Sequence, residues 1–199
     1  APTIESVSPA YGLAGARNAS FLVCGANLGS DPARIDSVTL GGHAMAVVGF
    51  EGAACVRVWS AELPLVWSSS ELDRARVSVG GQSSIRHQGL FEGVQRAEVS
   101  VVSAVSRPTA GGTNATILGL NFGLSRADVG SVRVGSSEVP SESIEFVSRL
   151  ELRIVWPAGL GAGQELVVTS SAGVSSRAFL VSYDAPTIST IQVVEGAQT

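Results

Sequence analysis

The chain has 199 residues, 45% hydrophobic and 15% charged, with 23 glycines, a formal net charge of −4 and a pI near 5.2. That length suits one large domain or two small ones, no apolar run is long enough to span a bilayer, and no basic-then-apolar leader opens the chain. All 13 basic residues are arginine and stand singly along the sequence, so no electrostatic footprint for a phosphate backbone forms and nucleic acid is not an expected partner.

Read in chain order, the elements are short, alternating and punctuated by turn residues. Ala1-Pro2-Thr3-Ile4-Glu5-Ser6-Val7 predicts an opening strand. Gly15 leads into a second strand that stops on Gly25-Ala26-Asn27-Leu28-Gly29, and strands follow at Ser37–Gly41, Cys55–Trp59 and Arg76–Val79. A segment from Glu62 to Asp73 interrupts this series. Past Gln95-Arg96-Ala97 the same order returns. Val102-Ser103-Ala104-Val105 fills the place of the opening strand, and Gly111-Gly112-Thr113-Asn114-Ala115-Thr116-Ile117 leads to Gly119-Leu120-Asn121-Phe122-Gly123. Ser131-Val132-Arg133-Val134-Gly135 then matches Ser37-Val38-Thr39-Leu40-Gly41 at the same offset that relates the two Gly-x-Asn-x-Gly turns. One offset serving two motifs marks an internal repeat. Leu152-Arg153-Ile154-Val155-Trp156 is laid over Cys55-Val56-Arg57-Val58-Trp59, which pairs Trp59 with Trp156 as plugs of equivalent cores. Ala185-Pro186-Thr187-Ile188 repeats the opening once more.

The expected architecture is all-β: two tandem antiparallel sandwiches, residues 1–96 and 97–184, with 185–199 as the first strand of a third. Period-two alternation places Val99, Val101, Ala115, Ile117, Val132, Val134, Leu152, Ile154, Leu166, Val168, Phe179 and Val181 on the inner faces of the second unit. The linkers are short and contain no Gly/Ser run, so neighbouring units should sit end to end with limited freedom. The Gly-x-Asn-x-Gly turns suit asparagine, which tolerates a left-handed backbone and bonds nearby main chain.

Chemistry-bearing residues are few. Asn18-Ala19-Ser20 and Asn114-Ala115-Thr116 are N-glycosylation sequons near corresponding places of the two units. Cys24 and Cys55 allow one disulfide, and two buried thiols acting as small hydrophobes are the equal alternative. His43 and His87 stand apart without metal-ligand spacing and read as surface histidines. Asp31 and Asp36 are too few oxygens for a tight calcium site, so neither metal nor cofactor is expected. Gly159-Leu160-Gly161-Ala162-Gly163 precedes a strand rather than a helix, so it is a turn and no phosphate cradle. No nucleophile elbow, carboxylate pair or Cys/His couple occurs, and an enzyme is not expected. Leu65, Val66 and Trp67 in the interrupting segment are candidate protein-contact residues; the bland alternative has them fold back over their own unit or wedge against the second.

The order Pro-x-Ile-x-Ser-Val-Ser-Pro, then Gly111 to Gly123, Val132 to Gly135 and Pro157 to Gly163, resembles the IPT/TIG immunoglobulin-like domain of the E-set type. The second unit fits throughout. The first departs at Ala16-Arg17 and after Trp59. The resemblance implies tandem modules of large cell-surface or secreted proteins: an extracellular, non-catalytic spacer and adhesion part contacting a protein partner or neighbouring repeats of the same chain, without inserting in a membrane itself. Relatives of the family also accompany starch-processing enzymes or act in transcription. A carbohydrate-binding accessory module is therefore the alternative, and it would need an exposed row of aromatic rings.

Overall fold

The computed structural model describes residues 1–67, 74–85, 87–103 and 106–190. Regular structure among them is strand, apart from three short 3-10 helices. In chain order the first half contributes β1 (Thr3–Ser8), β2 (Tyr11–Leu13), β3 (Arg17–Ala26), β4 (Ile35–Leu40), β5 (His43–Glu51), β6 (Cys55–Glu62), β7 (Arg74–Val79), β8 (Gln82–Ser83), β9 (His87–Gln88) and β10 (Glu92–Val94). The second half contributes β11 (Glu98–Val102), β12 (Ser106–Arg107), β13 (Asn114–Leu120), β14 (Val129–Val134), β15 (Ser137–Glu138), β16 (Ile144–Ser148), β17 (Glu151–Val155), β18 (Gln164–Ser170) and β19 (Phe179–Tyr183).

Pairing is antiparallel except for β2 with β10 and β12 with β19. The first half forms one large sheet in the order β1-β3-β6-β5-β4-β7-β8, with β9 beside β7, and a separate two-stranded sheet of β10 and β2. It is continuous because β5 pairs β4 through His43–Met45 and β6 through Ala46–Glu51. The second half is split into β11-β13-β17-β16 and β12-β19-β18-β14-β15. Between β15 and β16, Pro140 precedes the 3-10 turn Ser141–Ser143. Proline brings no N–H to a ladder and holds φ near that of a turn, so the strand cannot run through as β5 does.

Alternating strands bury one face each, and the buried apolar side chains fall into two clusters. Val23, Val38, Val56, Val58 and Val77 belong to the first, and Ile117, Val132, Leu152, Ile154 and Leu166 to the second. Of the residues expected inside the second unit, Val101 is the exception, at 51% exposure. A β-bulge between Val99 and Val101 adds one residue to β11, which turns Val101 outward and buries Val102 instead. The first half repeats the device between Ile4 and Ser6, with Val7 buried beyond it.

Opposite each bulge stands a glycine. A Cβ on Gly25 would lie 1.9 Å from the Thr3 carbonyl oxygen, and one on Gly119 would lie 2.0 Å from that of Glu98. The following asparagines adopt left-handed φ angles of 59° at Asn27 and 60° at Asn121. Their side-chain amides donate to the Ala1 and Arg96 carbonyls at 3.3 Å each, tying every turn to the start of its first strand.

The tryptophans require a correction. Cys24 faces Cys55 and Leu118 faces Glu151, so Val56 corresponds to Leu152 and Trp59 to Val155. The overlay of Trp59 on Trp156 was one residue out of register, and a slip of one exchanges the faces of a strand. Trp59 and Val155 are both 38% exposed, whereas Trp156 is buried against Tyr183 and under the Arg107 guanidinium. The position matching Trp156 is Ser60, and the first core takes its indole from Trp67 instead. Trp67 is 2% exposed, lies over Gly41 and Gly93, and meets Phe91 edge-on at 5.6 Å. Trp67 therefore packs into its own half and is a core residue rather than a contact residue, while residues 68–73 of the interrupting segment lie outside the described residues.

Candidate functional site

The structure distributes the residues singled out above. Asn18 is exposed on β3 with φ 52°, between the pairs Arg17–Glu62 and Ala19–Ser60. Asn114 is exposed at the start of β13, opposite Val155. Cys24 and Cys55, directly across from one another on β3 and β6, are bonded at an S–S distance of 2.10 Å on the face turned away from the core. Such a bridge, closing 31 residues of chain, stabilises by about 3–4 kcal/mol where it is unstrained. Leu65 and Val66 are 57% and 77% exposed. Asp31 accepts from the Ala33 N–H and Asp36 from the Gly81 N–H, so both carboxylates serve turns. No cluster of three or more His, Cys, Asp or Glu side chains able to hold a metal occurs among the described residues. No helix among them is long and apolar enough to cross a membrane. The described part of the tail, 185–190, forms no strand, and Ile188 is 81% exposed; the rest of that predicted strand lies outside the described residues.

His43 is a second correction: it is half-buried and sits 6.4 Å from the Trp67 ring. The Ser60 hydroxyl donates to the Glu62 carbonyl at 2.8 Å, so the 2.9 Å contact to His43 has Nε2–H as its donor. Burial lowers the His43 pKa below its ordinary value of 6.5. In the unfolded chain the imidazole takes its proton at ordinary pH, so below about 6.5 the unfolded state binds more protons and folding weakens as pH falls toward the depressed folded value. We expect chemical denaturation midpoints of the first unit to drop between pH 7 and pH 5 in the wild type. His43→Gln should flatten that dependence; an unchanged slope would assign it to other groups.

What the sequence did not point to is the junction. Tyr11 on β2 donates from its hydroxyl to Asp128 Oδ1 at 3.0 Å, joining residues 117 positions apart. Asp128 is only 5% exposed, and its Oδ2 accepts from the Leu124 and Ser125 N–H groups at 2.8 and 2.9 Å. Ser125-x-x-Asp128 is a capping-box pattern, the one signal that could have marked this carboxylate. Burial, followed by the hydrogen bond to Asp128 and its negative charge, raises the Tyr11 pKa above 10.0, keeping the phenol a donor. Gly15 packs against Val174, where a Cβ would fall 2.4 Å from a Val174 methyl. Arg149 pairs with Glu92 at 2.5 Å; both are substantially exposed, so this pair orients more than it stabilises. Gln95 in the connecting segment accepts from the Trp67 N–H at 3.2 Å and donates to the Trp67 carbonyl at 2.9 Å. The linker is thereby held to the first core.

Beside the junction runs a groove of about 370 Å³ lined by Leu65, Val66, Arg96, Glu98, Asn121 and Arg177, among others. A second groove shares Gln95 and Asn121 with it and reaches Leu124 and Arg149. Neither contains a nucleophile beside a base. Of the eleven aromatic side chains, Trp59 alone is more than a third exposed.

Antiparallel sheets closing over alternating apolar side chains define an immunoglobulin-like all-β protein. Residues 98–183, under half of the chain, match the family model described as the IPT/TIG domain. The chain is similar to the plexin A4 full extracellular region at 18% identity and a TM-score of 0.50, over 92% of this chain and 16% of that one. A second structure of that region gives 18% identity and a TM-score of 0.51, over 91% of this chain and 18% of the other. It is also similar to SGBP-B from a xyloglucan utilization locus of Bacteroides uniformis at 16% identity and a TM-score of 0.41, over 92% of this chain and 49% of that one. The chain thus spans less than half the length of each. At such identities the likeness is one of fold. No curated protein matches the sequence.

Proposed function

We propose that this chain is a non-catalytic extracellular module in which two tandem IPT/TIG-type sandwiches, 1–96 and 97–184, act as a stiff spacer and protein-contact unit of a larger surface protein. Residues 185–199 open a third repeat in this reading. The observation that carries it is the junction: a buried carboxylate, a phenol, a glycine–valine contact and a bonded linker glutamine all restrain one sandwich against the next. Each contact is small, yet together they oppose bending about a short linker, which length and stiffness require. A Cys24–Cys55 bridge suits an oxidising compartment, and exposed Asn18 and Asn114 are accessible to glycan transfer there. Leu65 and Val66 supply the apolar contact. A carbohydrate-stacking role has less support, because one half-exposed ring is not a row.

Small-angle X-ray scattering tests the spacer. The wild type should fit one rigid two-lobed body, and Tyr11→Phe combined with Arg149→Ala should broaden the distance distribution without unfolding either lobe. Loss of the Tyr11 hydrogen bond alone is expected to cost about 1–3 kcal/mol at the junction. A wild-type profile requiring an ensemble of bend angles would remove the proposal.

A further inference from the structure

The groove beside the junction carries positive charge that no carboxylate among the described residues pairs with. Arg96 and Arg177 both line it, both are exposed, and neither makes an ion pair or side-chain hydrogen bond among the described residues. By contrast Arg57, Arg149 and Arg153 are each matched to a glutamate elsewhere on the surface. In a chain of net charge −4, two guanidiniums on one groove without an ion-pair partner among the described residues are a local reversal of sign. Glu98 is the sole carboxylate on the lining among the described residues. Alongside the arginines lie Leu65 and Val66, adjacent apolar side chains 57% and 77% exposed, held by the segment whose next residue, Trp67, is anchored in the core. Rigid backing matters here. An aliphatic pair on an anchored turn presents a fixed surface, and a guanidinium fork binds a carboxylate in a defined geometry.

We propose that this groove docks an extended acidic peptide segment of a partner protein, its carboxylates on Arg96 and Arg177 and an aliphatic side chain on Leu65 and Val66. Asn121 and Gln95, which also line the groove, are held by their own bonds to the Arg96 and Trp67 backbone, so the floor is set before the peptide arrives. The inference deepens the reading of the chain as a protein-contact module and rests on it. Two arginines spread along a groove favour a flexible chain of spaced carboxylates over a single small anion, and the aliphatic pair distinguishes a peptide from a sulfated glycan.

The test uses the full 199-residue chain and fluorescence anisotropy with a labelled peptide of alternating glutamate and leucine. Binding is expected to weaken as salt is raised, and to fall about tenfold or more in Arg96→Glu/Arg177→Glu and in Leu65→Ser/Val66→Ser. Arg34→Glu, exposed on a distant turn, should bind as the wild type does. Melting curves accompany each variant; the Asn121 bond runs to the Arg96 main-chain carbonyl and survives the side-chain changes. Absence of glutamate–leucine binding, equal binding of a lysine–leucine peptide, or affinity unaltered in the arginine variant would each overturn the proposal. Retention of heparin with no peptide binding would also overturn it, in favour of a sulfated glycan. Scattering that still reports a rigid body in any of those cases leaves the spacer function standing separately.

Discussion

Trp67→Ala is expected to destabilise the first core by about 3–5 kcal/mol, the range for emptying a large aromatic site that collapses poorly. The site collapses poorly because two of its walls are the main chain of Gly41 and Gly93. Trp67 lies on Gly41 and Gly93, which have no side chains to move inward, and its edge supports Phe91, which in turn meets Phe21 at 5.5 Å. A loss of this size rivals the total stability of a small domain. The second core shares no residue with the first, so the near-ultraviolet signal and melting of Trp156 should persist while the first transition disappears. Urea unfolding followed by circular dichroism and tryptophan fluorescence reads both transitions. A midpoint unmoved by the substitution would show that the interrupting segment does not belong to the first core.

Gly119→Ala has the other large expected effect, about 3 kcal/mol, because the new methyl meets the main chain of β11 on one side and the buried Phe122 ring on the other. The new methyl carbon would sit 2.0 Å from the Glu98 carbonyl and 2.6 Å from the Phe122 ring. Relief requires β11 to leave β13 at the bulge, which also releases Val102 from the core. Gly112→Ala is the control. Gly112 has a left-handed φ of 79° with open space around its Cβ, so its cost is conformational strain alone, about 1 kcal/mol. Guanidinium denaturation of the two variants should separate them clearly. Equal midpoints would mean that the bulge relaxes freely and that close approach is not what the glycine serves.

The pairing of Gly25 with Gly119 and of Asn27 with Asn121 was legible as a repeat, whereas the bulges on β1 and β11 that those glycines face were not. Shared spacing identified the turns. A glycine stands in each because the carbonyls of Thr3 and Glu98 press against it, a contact between strands that turn spacing does not encode. Strand alternation likewise puts Val56, Val58 and Ser60 on one face, so Trp59 points outward although Trp156, which resembles it in sequence, points in.

What the residues determined unaided was local: which positions alternate, where asparagine and glycine bend the chain, and that two stretches share one plan, since strand period and turn chemistry act over a few neighbours. Tertiary structure alone decided that Trp67 fills the first core, that bulges turn Val101 outward, and that Tyr11 reaches Asp128. Those outcomes depend on which distant surfaces meet and on the volume left between them, quantities no short-range pattern encodes.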